Sequence, residues 1–440
     1  MIQMRIIFWE WKHFVKNPFK ILALLLFVAA GVYGLHNGAN LYNKQMAEIK
    51  KLTAKANEQE QKIISYYDKG EKGPADRPWI DVTTPFWAIW NLPTYYYKTP
   101  SPAMVFGIGQ AEQYGFYKQL SVWASIYDPD MTNEIANPER LQSGNLDFSF
   151  ILFYLSPLLL LIISYQISTT EKEQGFLPLI NVQIPSINQW ILSRLLFYFF
   201  LIFITLIALI FYGCSITPVF KASVNIVPKL VVYSGAYLAF WTLLYFMVLK
   251  YSSHIMNAAL KMIALWLLFA FLIPAAVHQS ISIAKPANLM LNFIDVQREG
   301  RERIFNQPDS VIDKQLIELF PTIKKAKLFT DTTQRLMLRN YSASGLAYQL
   351  VKSTMKEVES DSDYKNKWVQ SLYWIMPVTF FQNKFNEITE TDYYSFENYR
   401  QEVDKLIYKR INTMVLAIWN GDTVNKSTFL KYKKELSSLQ

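Results

Sequence analysis

Two long apolar runs, Phe148–Ile167 and Leu195–Gly213, stand on either side of the polar segment Ser168–Leu177, and this alternation places the chain in a membrane. Each run holds about 20 residues, enough to cross a hydrocarbon core of ~30 Å as a helix. Charged side chains are costly at that depth, so Glu171, Lys172 and Glu173 mark a return to water. Beyond them, Phe176, Leu177, Ile180 and Ile184 recur at helical spacing, which predicts a short amphipathic helix on the membrane surface. An acidic-headed helix between two spans is a surface suited to docking a soluble partner.

The composition agrees with a mixed protein. At 51% hydrophobic, 16% aromatic and 18% charged, the chain is too apolar for an ordinary soluble protein and too charged for a bare bundle. Several spans with sizeable aqueous domains fit both figures. Four His and one Cys leave no cluster with metal-ligand spacing, and the lone Cys214 reads as a packed small hydrophobe. The net charge of +9 is spread among acids with no basic stripe, which argues against a nucleic-acid partner.

The leader carries Arg5, Lys12, Lys16 and Lys20, which places the N-terminus in the cytosol. Ile7, Trp11 and Phe14 fall on one helical face, and Trp9 and Trp11 suit the headgroup boundary, the pattern of an in-plane interfacial helix. A cytosolic extension of the first span is the alternative. The first apolar run follows this basic leader without a small-residue cleavage site, so it is expected to remain as an anchor.

The expected organisation is an interfacial helix over 1–18, a first span over 19–36 and a first exoplasmic domain over 37–147. A second span (148–167), a cytosolic segment (168–194) and spans over 195–214, 230–249 and 257–280 follow, then a second exoplasmic domain over 281–440. Within the first domain, Asn40–Tyr67 reads as a separate helix with a thin apolar stripe, ended by Gly70 and Pro74. From Trp79 to Tyr127 aromatics crowd among prolines and glycines, read as the core of a small domain, with a lipid or sugar surface as the alternative. Gly235 and Ala239 form a small pair that lets a helix approach closely. Trp368–Phe381 is short for a span and contains Pro377, so it is expected to be buried or interfacial.

Catalytic signatures are missing. There is no phosphate loop, no nucleophile elbow and no zinc-binding H-E-x-x-H. Asp128, Asp130 and Glu134 lack the glycine and closing glutamate of a calcium loop, so they read as a turn. The spans hold almost no ionisable residues, whereas ion-coupled transport needs buried charge at mid-membrane. Energy for any movement must then come from a partner.

The segments Asn137–Phe148 and Thr170–Leu177, with the apolar span between them, resemble the type-2 class of ABC exporter permeases. Glu171, Glu173, Gly175, Phe176, Leu177, Pro185 and Arg194 match the pattern of that class after its second span. Pro100–Pro102, Gly107–Gln110, Pro377–Gln382, Thr391–Asp392 and the leader Glu10–Pro18 resemble a branch with two large exoplasmic insertions and no assigned substrate. The resemblance covers nearly the whole chain and is most specific around the second span.

It implies a multi-pass, mainly α permease half in a bacterial inner membrane, paired with an identical or homologous half. It also implies cytosolic ATPase subunits that hold ATP and Mg, with no cofactor and no catalysis in this chain. Glu171, Glu173, Gly175, Phe176, Leu177, Ile180, Pro185 and Arg194 would form the ATPase-coupling segment, and Ile7, Trp9, Trp11 and Phe14 the interfacial helix. The two Glu are expected just ahead of the coupling helix, where its dipole favours anions. The class has six spans per half; the sequence offers five. The competing reading is a mechanotransmission module acting on a periplasmic or envelope partner.

Overall fold

The computed structural model describes residues 2–123, 146–222, 224–284, 300 and 302–437. The carboxylates Asp128, Asp130 and Glu134, and most of the Asn137–Phe148 segment, lie outside them. Helix α1 (Ile2–Lys16) ends at Asn17, whose side chain accepts hydrogen bonds from the Phe19 and Lys20 N–H groups at 3.1 and 3.3 Å. With Pro18 in its first turn, this cap starts α2 (Pro18–Lys69), a single helix of 52 residues. The separate helix expected from Asn40 is therefore continuous with the first span. Gly31, Gly34 and Gly38 do not break it, because each is a contact point. A Cβ at Gly38 would lie 2.5 Å from the Val105 carbonyl oxygen, and one at Gly34 would lie 2.7 Å from the Asp147 backbone. The helix stops at Gly70, where φ is +69°.

The aromatic-rich stretch folds as short pieces. Helix α3 (Pro85–Trp90) leads to strand β1 (Tyr95–Tyr97), which pairs antiparallel with β2 (Tyr117–Gln119), Tyr96 opposite Lys118. Its rings pack on one another, as Tyr95 does on Tyr97, and also outside the stretch. Phe86 stacks on Tyr341 at 4.0 Å between centroids, and Tyr96 stacks on Tyr399 at 5.8 Å.

Among the described residues, five helices are long and apolar enough to cross a membrane: Pro18–Lys69, Phe148–Glu173, Ile187–Ile216, Ile226–Tyr251 and Ile255–Ala284. The chain is thus a helical membrane protein by length and composition. The second span opens on Asp147, whose carboxylate accepts from the Phe150 N–H at 2.7 Å and the Ile108 N–H at 2.8 Å. It passes through a π-helical turn, Ile151–Leu155, into α4 (Ser156–Ser164). Pro157 has no N–H to give the preceding turn. Ser156 Oγ donates to the Leu152 carbonyl at 2.6 Å instead, and the Tyr237 hydroxyl reaches in from the fourth span to the Phe153 carbonyl at 2.5 Å.

After two short helices, α5 (Thr169–Glu173) and α6 (Leu177–Gln183), come α7 (Ile187–Ile216) and α8 (Ile226–Tyr251), the third and fourth spans. Helix α7 begins well before the expected residue 195. Gly235 lets the Phe203 ring approach, since a Cβ there would lie 2.9 Å from it. The fifth span is α9 (Ile255–Leu267), a second π-helical turn at Leu268–Leu272, and α10 (Ile273–Ala284). Cys214 is buried among the spans.

The remaining described residues are mostly helical: α11 (Asp309–Leu319), α12 (Arg335–Ser371), α13 (Pro377–Thr389), α14 (Tyr393–Trp419) and α15 (Lys426–Ser437). Together with the C-terminal part of α2 and the aromatic stretch, they build one head. Ile63, Ile89, Leu92 and Val122 share a core with Leu316, Ile407, Ile411 and Phe429, so the segments read as two domains have a common interior. At its centre the fully enclosed Arg410 donates to the Ile89 and Leu92 carbonyls at 2.5 and 2.7 Å. The Trp368–Phe381 stretch is divided. It closes α12, turns, and opens α13, whose Val378 and Phe385 enter the core of the membrane bundle beside Phe148 and Phe153.

Candidate coupling surface

Ser168, in the left-handed conformation at φ +62°, breaks the second span from α5. Gly175, at φ +76°, separates α5 from α6. The Phe176 N–H folds back to the Glu171 carbonyl at 2.9 Å, ending α5 in a reversal that a side chain at Gly175 would strain. Glu171 and Glu173 therefore sit inside α5, one helix earlier than expected. They do not face the N-terminus of α6.

Each charged side chain of α5 holds a different part of the bundle. Glu171 pairs with Arg194 of α7 at 2.5 Å, and Arg194 also pairs with Glu10 of α1. Glu10 accepts from the Tyr198 hydroxyl at 2.9 Å, which in turn accepts from Lys20 Nζ of α2 at 2.9 Å. Lys172 Nζ donates to the carbonyls of Leu249, Lys250 and Ser252 at 2.8, 3.0 and 2.9 Å, closing the C-terminal end of α8. Glu173 accepts from the Ile255 N–H at 3.1 Å, the first residue of α9. The dipole stabilisation expected for this carboxylate is present, but the helix it serves is the fifth span.

Helix α6 faces the other way and has no buried residue. Phe176, Leu179 and Val182 are 52%, 63% and 87% exposed, an apolar stripe at three-residue spacing. Leu177, Ile180 and Ile184 are half-buried beneath it, and Pro185 is exposed. On α1, Ile7, Trp9 and Trp11 are exposed, while Phe14 is buried against Phe197 and Tyr198. Trp9 carries the Lys12 ammonium 5.1 Å from its ring centre.

Sequence reasoning picked Arg194 and the two Glu, but missed Glu10, Lys172, Tyr198, Leu179 and Val182. The spacing Phe176, Leu179, Val182 was visible. The ties of Glu10 and Tyr198 to residues nearly two hundred positions apart were not.

Among the described residues no group of three His, Cys, Asp or Glu could hold a metal ion. His36 spends its ring nitrogen on the Tyr212 hydroxyl at 2.8 Å. Comparison with known proteins found no matching family model, curated protein or solved structure.

Proposed function

We propose that this chain is the transmembrane permease subunit of an ATP-driven ABC exporter, energised by separate ATPase subunits that seat on α6. The observation that carries this reading is a division of labour in two adjacent short helices. The α5 side chains are bonded to α7, α8 and α9, and through Arg194 to α1, while α6 offers Phe176, Leu179 and Val182 outward. A soluble partner on that stripe would push on every span joined to α5. ATP and Mg belong to the partner; a second half, identical or homologous, completes the permease. The N-terminus and α6 then face the cytosol of a bacterial inner membrane and the head is exoplasmic, with α1 lying in the interface.

The test is co-purification of the ATPase with wild-type chain and with Phe176→Asp/Leu179→Asp. Each apolar side chain seated in a cleft contributes about 1.5–3 kcal/mol. Unpaired carboxylates there add a desolvation cost of a few kcal/mol. The variant is expected to insert normally and lose the ATPase; equal recovery of the ATPase would remove the docking role.

One observation favours a second reading, mechanotransmission. Helix α2 runs without a break from Asn17 in the membrane half to Gly70 in the head. At 1.5 Å per residue that is a strut of roughly 78 Å. In this version ATP hydrolysis moves the head against an envelope partner and nothing passes between the spans.

A further inference from the structure

A cavity of about 580 Å³ opens where the head meets the bundle, a volume within the range of small-molecule sites. Its walls come from the second span (Tyr154), the fifth span (Pro274, His278, Ile281), α12 and α13. Both spans are irregular at this level. Each has a π-helical turn followed by a proline two residues on, Ile151–Leu155 with Pro157 and Leu268–Leu272 with Pro274. Such turns cost backbone regularity and collect at functional positions.

The lining is unusual in its chemistry. It is dominated by side-chain amides and phenols, and three of each are joined in couples. Asn383 Nδ2 donates to the Tyr373 hydroxyl at 2.8 Å, Gln370 Nε2 to the Tyr394 hydroxyl at 3.1 Å, and the Tyr154 hydroxyl to Gln382 Oε1 at 3.4 Å. Each couple fixes two groups and leaves further donor and acceptor positions open. Two more amide oxygens of the lining, Gln110 Oε1 and Asn386 Oδ1, are buried with no hydrogen-bond partner among the described residues. The nearby carboxylates are already engaged: Glu387 pairs with Lys384 at 2.8 Å, and Asp392 caps α14 through the Tyr394 N–H at 3.0 Å.

We propose that this cavity binds a neutral, polyhydroxylated ligand, a short saccharide presented either free or as the headgroup of a glycolipid. Hydroxyls both donate and accept, matching fixed amides and phenols, and the tyrosine rings supply flat faces for the apolar side of a sugar ring. A cation would find the carboxylates Glu387 and Asp392 already engaged, and Lys365 is the lining's one lysine. A peptide would need a strand edge or side-chain pockets, and neither β1 nor β2 reaches the lining. The site stands on geometry alone and does not depend on the ATPase partnership.

The experiment uses the full chain in phospholipid nanodiscs, free of sugar detergents. It is probed with an array of neutral mono- to hexasaccharides and, separately, with liposomes carrying digalactosyl diacylglycerol. Wild type should retain at least one neutral glycan or the glycolipid. Gln382→Ala/Asn383→Ala, which strips the wall, and Asn366→Trp, which fills the space, should each weaken it at least tenfold while keeping the wild-type thermal transition. Retention of free glycans assigns a soluble ligand, and of the glycolipid alone a membrane one. Failure of both arms, retention unchanged in both variants, or capture of peptides in place of glycans overturns the proposal.

Discussion

Asp147 shows how one side chain can fasten a loop to a span. It is enclosed, with the N–H groups of Phe150 and Ile108 donating to its two oxygens. Burial lifts its carboxyl from 3.8 to about 6, and the hydrogen bonds only partly offset that. A folded value above the unfolded one means that the native protein binds the extra proton between these pH values. The stabilisation from protonation is therefore complete below about pH 3.8 and lost as pH rises through 6. Two units correspond to about 3 kcal/mol. Thermal midpoints of wild type and Asp147→Asn, measured from pH 7.5 to 4, should diverge in favour of wild type on acidification; parallel curves would show that this carboxyl does not titrate in the folded chain. The ionic junction at Arg194 is a different case. Its guanidinium lies between two carboxylates, and removing it would leave like charges facing across a site with little water.

Among the elements, the second span is held by partners outside itself. Pro157 deprives the preceding turn of a donor, and the Tyr237 hydroxyl supplies one to the Phe153 carbonyl from α8. Tyr237→Phe should cost about 1–3 kcal/mol, the penalty for an orphaned buried carbonyl. In a Pro157→Ala background the restored N–H should absorb part of that loss. A double-mutant cycle by reversible unfolding in mixed micelles should give a coupling of about 0.5–3 kcal/mol, and strict additivity would deny the exchange. The spans themselves were legible from their apolar runs, because the cost of charge in hydrocarbon is written residue by residue. The unbroken α2 was not. Three glycines and a polar continuation look like an ending, yet Gly34 and Gly38 are where the Asp147 and Val105 backbones touch the helix, and nothing local reveals those neighbours. Likewise Phe176 was legible as an apolar knob, while the bonding of α5 to α7, α8 and α9, and through Arg194 to α1, was hidden by sequence distance.

Across the whole molecule, the head is one body made from two distant stretches. Ile89 and Leu92 meet Ile407 and Arg410 in its core, and Glu60 of α2 pairs with Lys433 of α15 at 2.6 Å. Composition suggested two units because the spans divide the chain, and no pattern within either stretch announces a partner more than three hundred residues away. A fragment of residues 281–440 expressed alone should therefore lack a cooperative thermal transition, and co-expression with residues 37–147 should improve it; a cooperative transition for the isolated fragment would contradict the shared core. The continuity of α2 has a mechanical consequence. Val105 and Asp147 press on it at Gly38 and Gly34, close to where it leaves the apolar bundle, and some 31 residues of rigid helix extend past Gly38. That arm is roughly 47 Å long. A tilt of about 5° about the glycine fulcrum would sweep its tip through about 4 Å, a displacement larger than a hydrogen bond is long. Adjustments of a single side-chain contact among the spans would thus reach the far side of the head as a stroke.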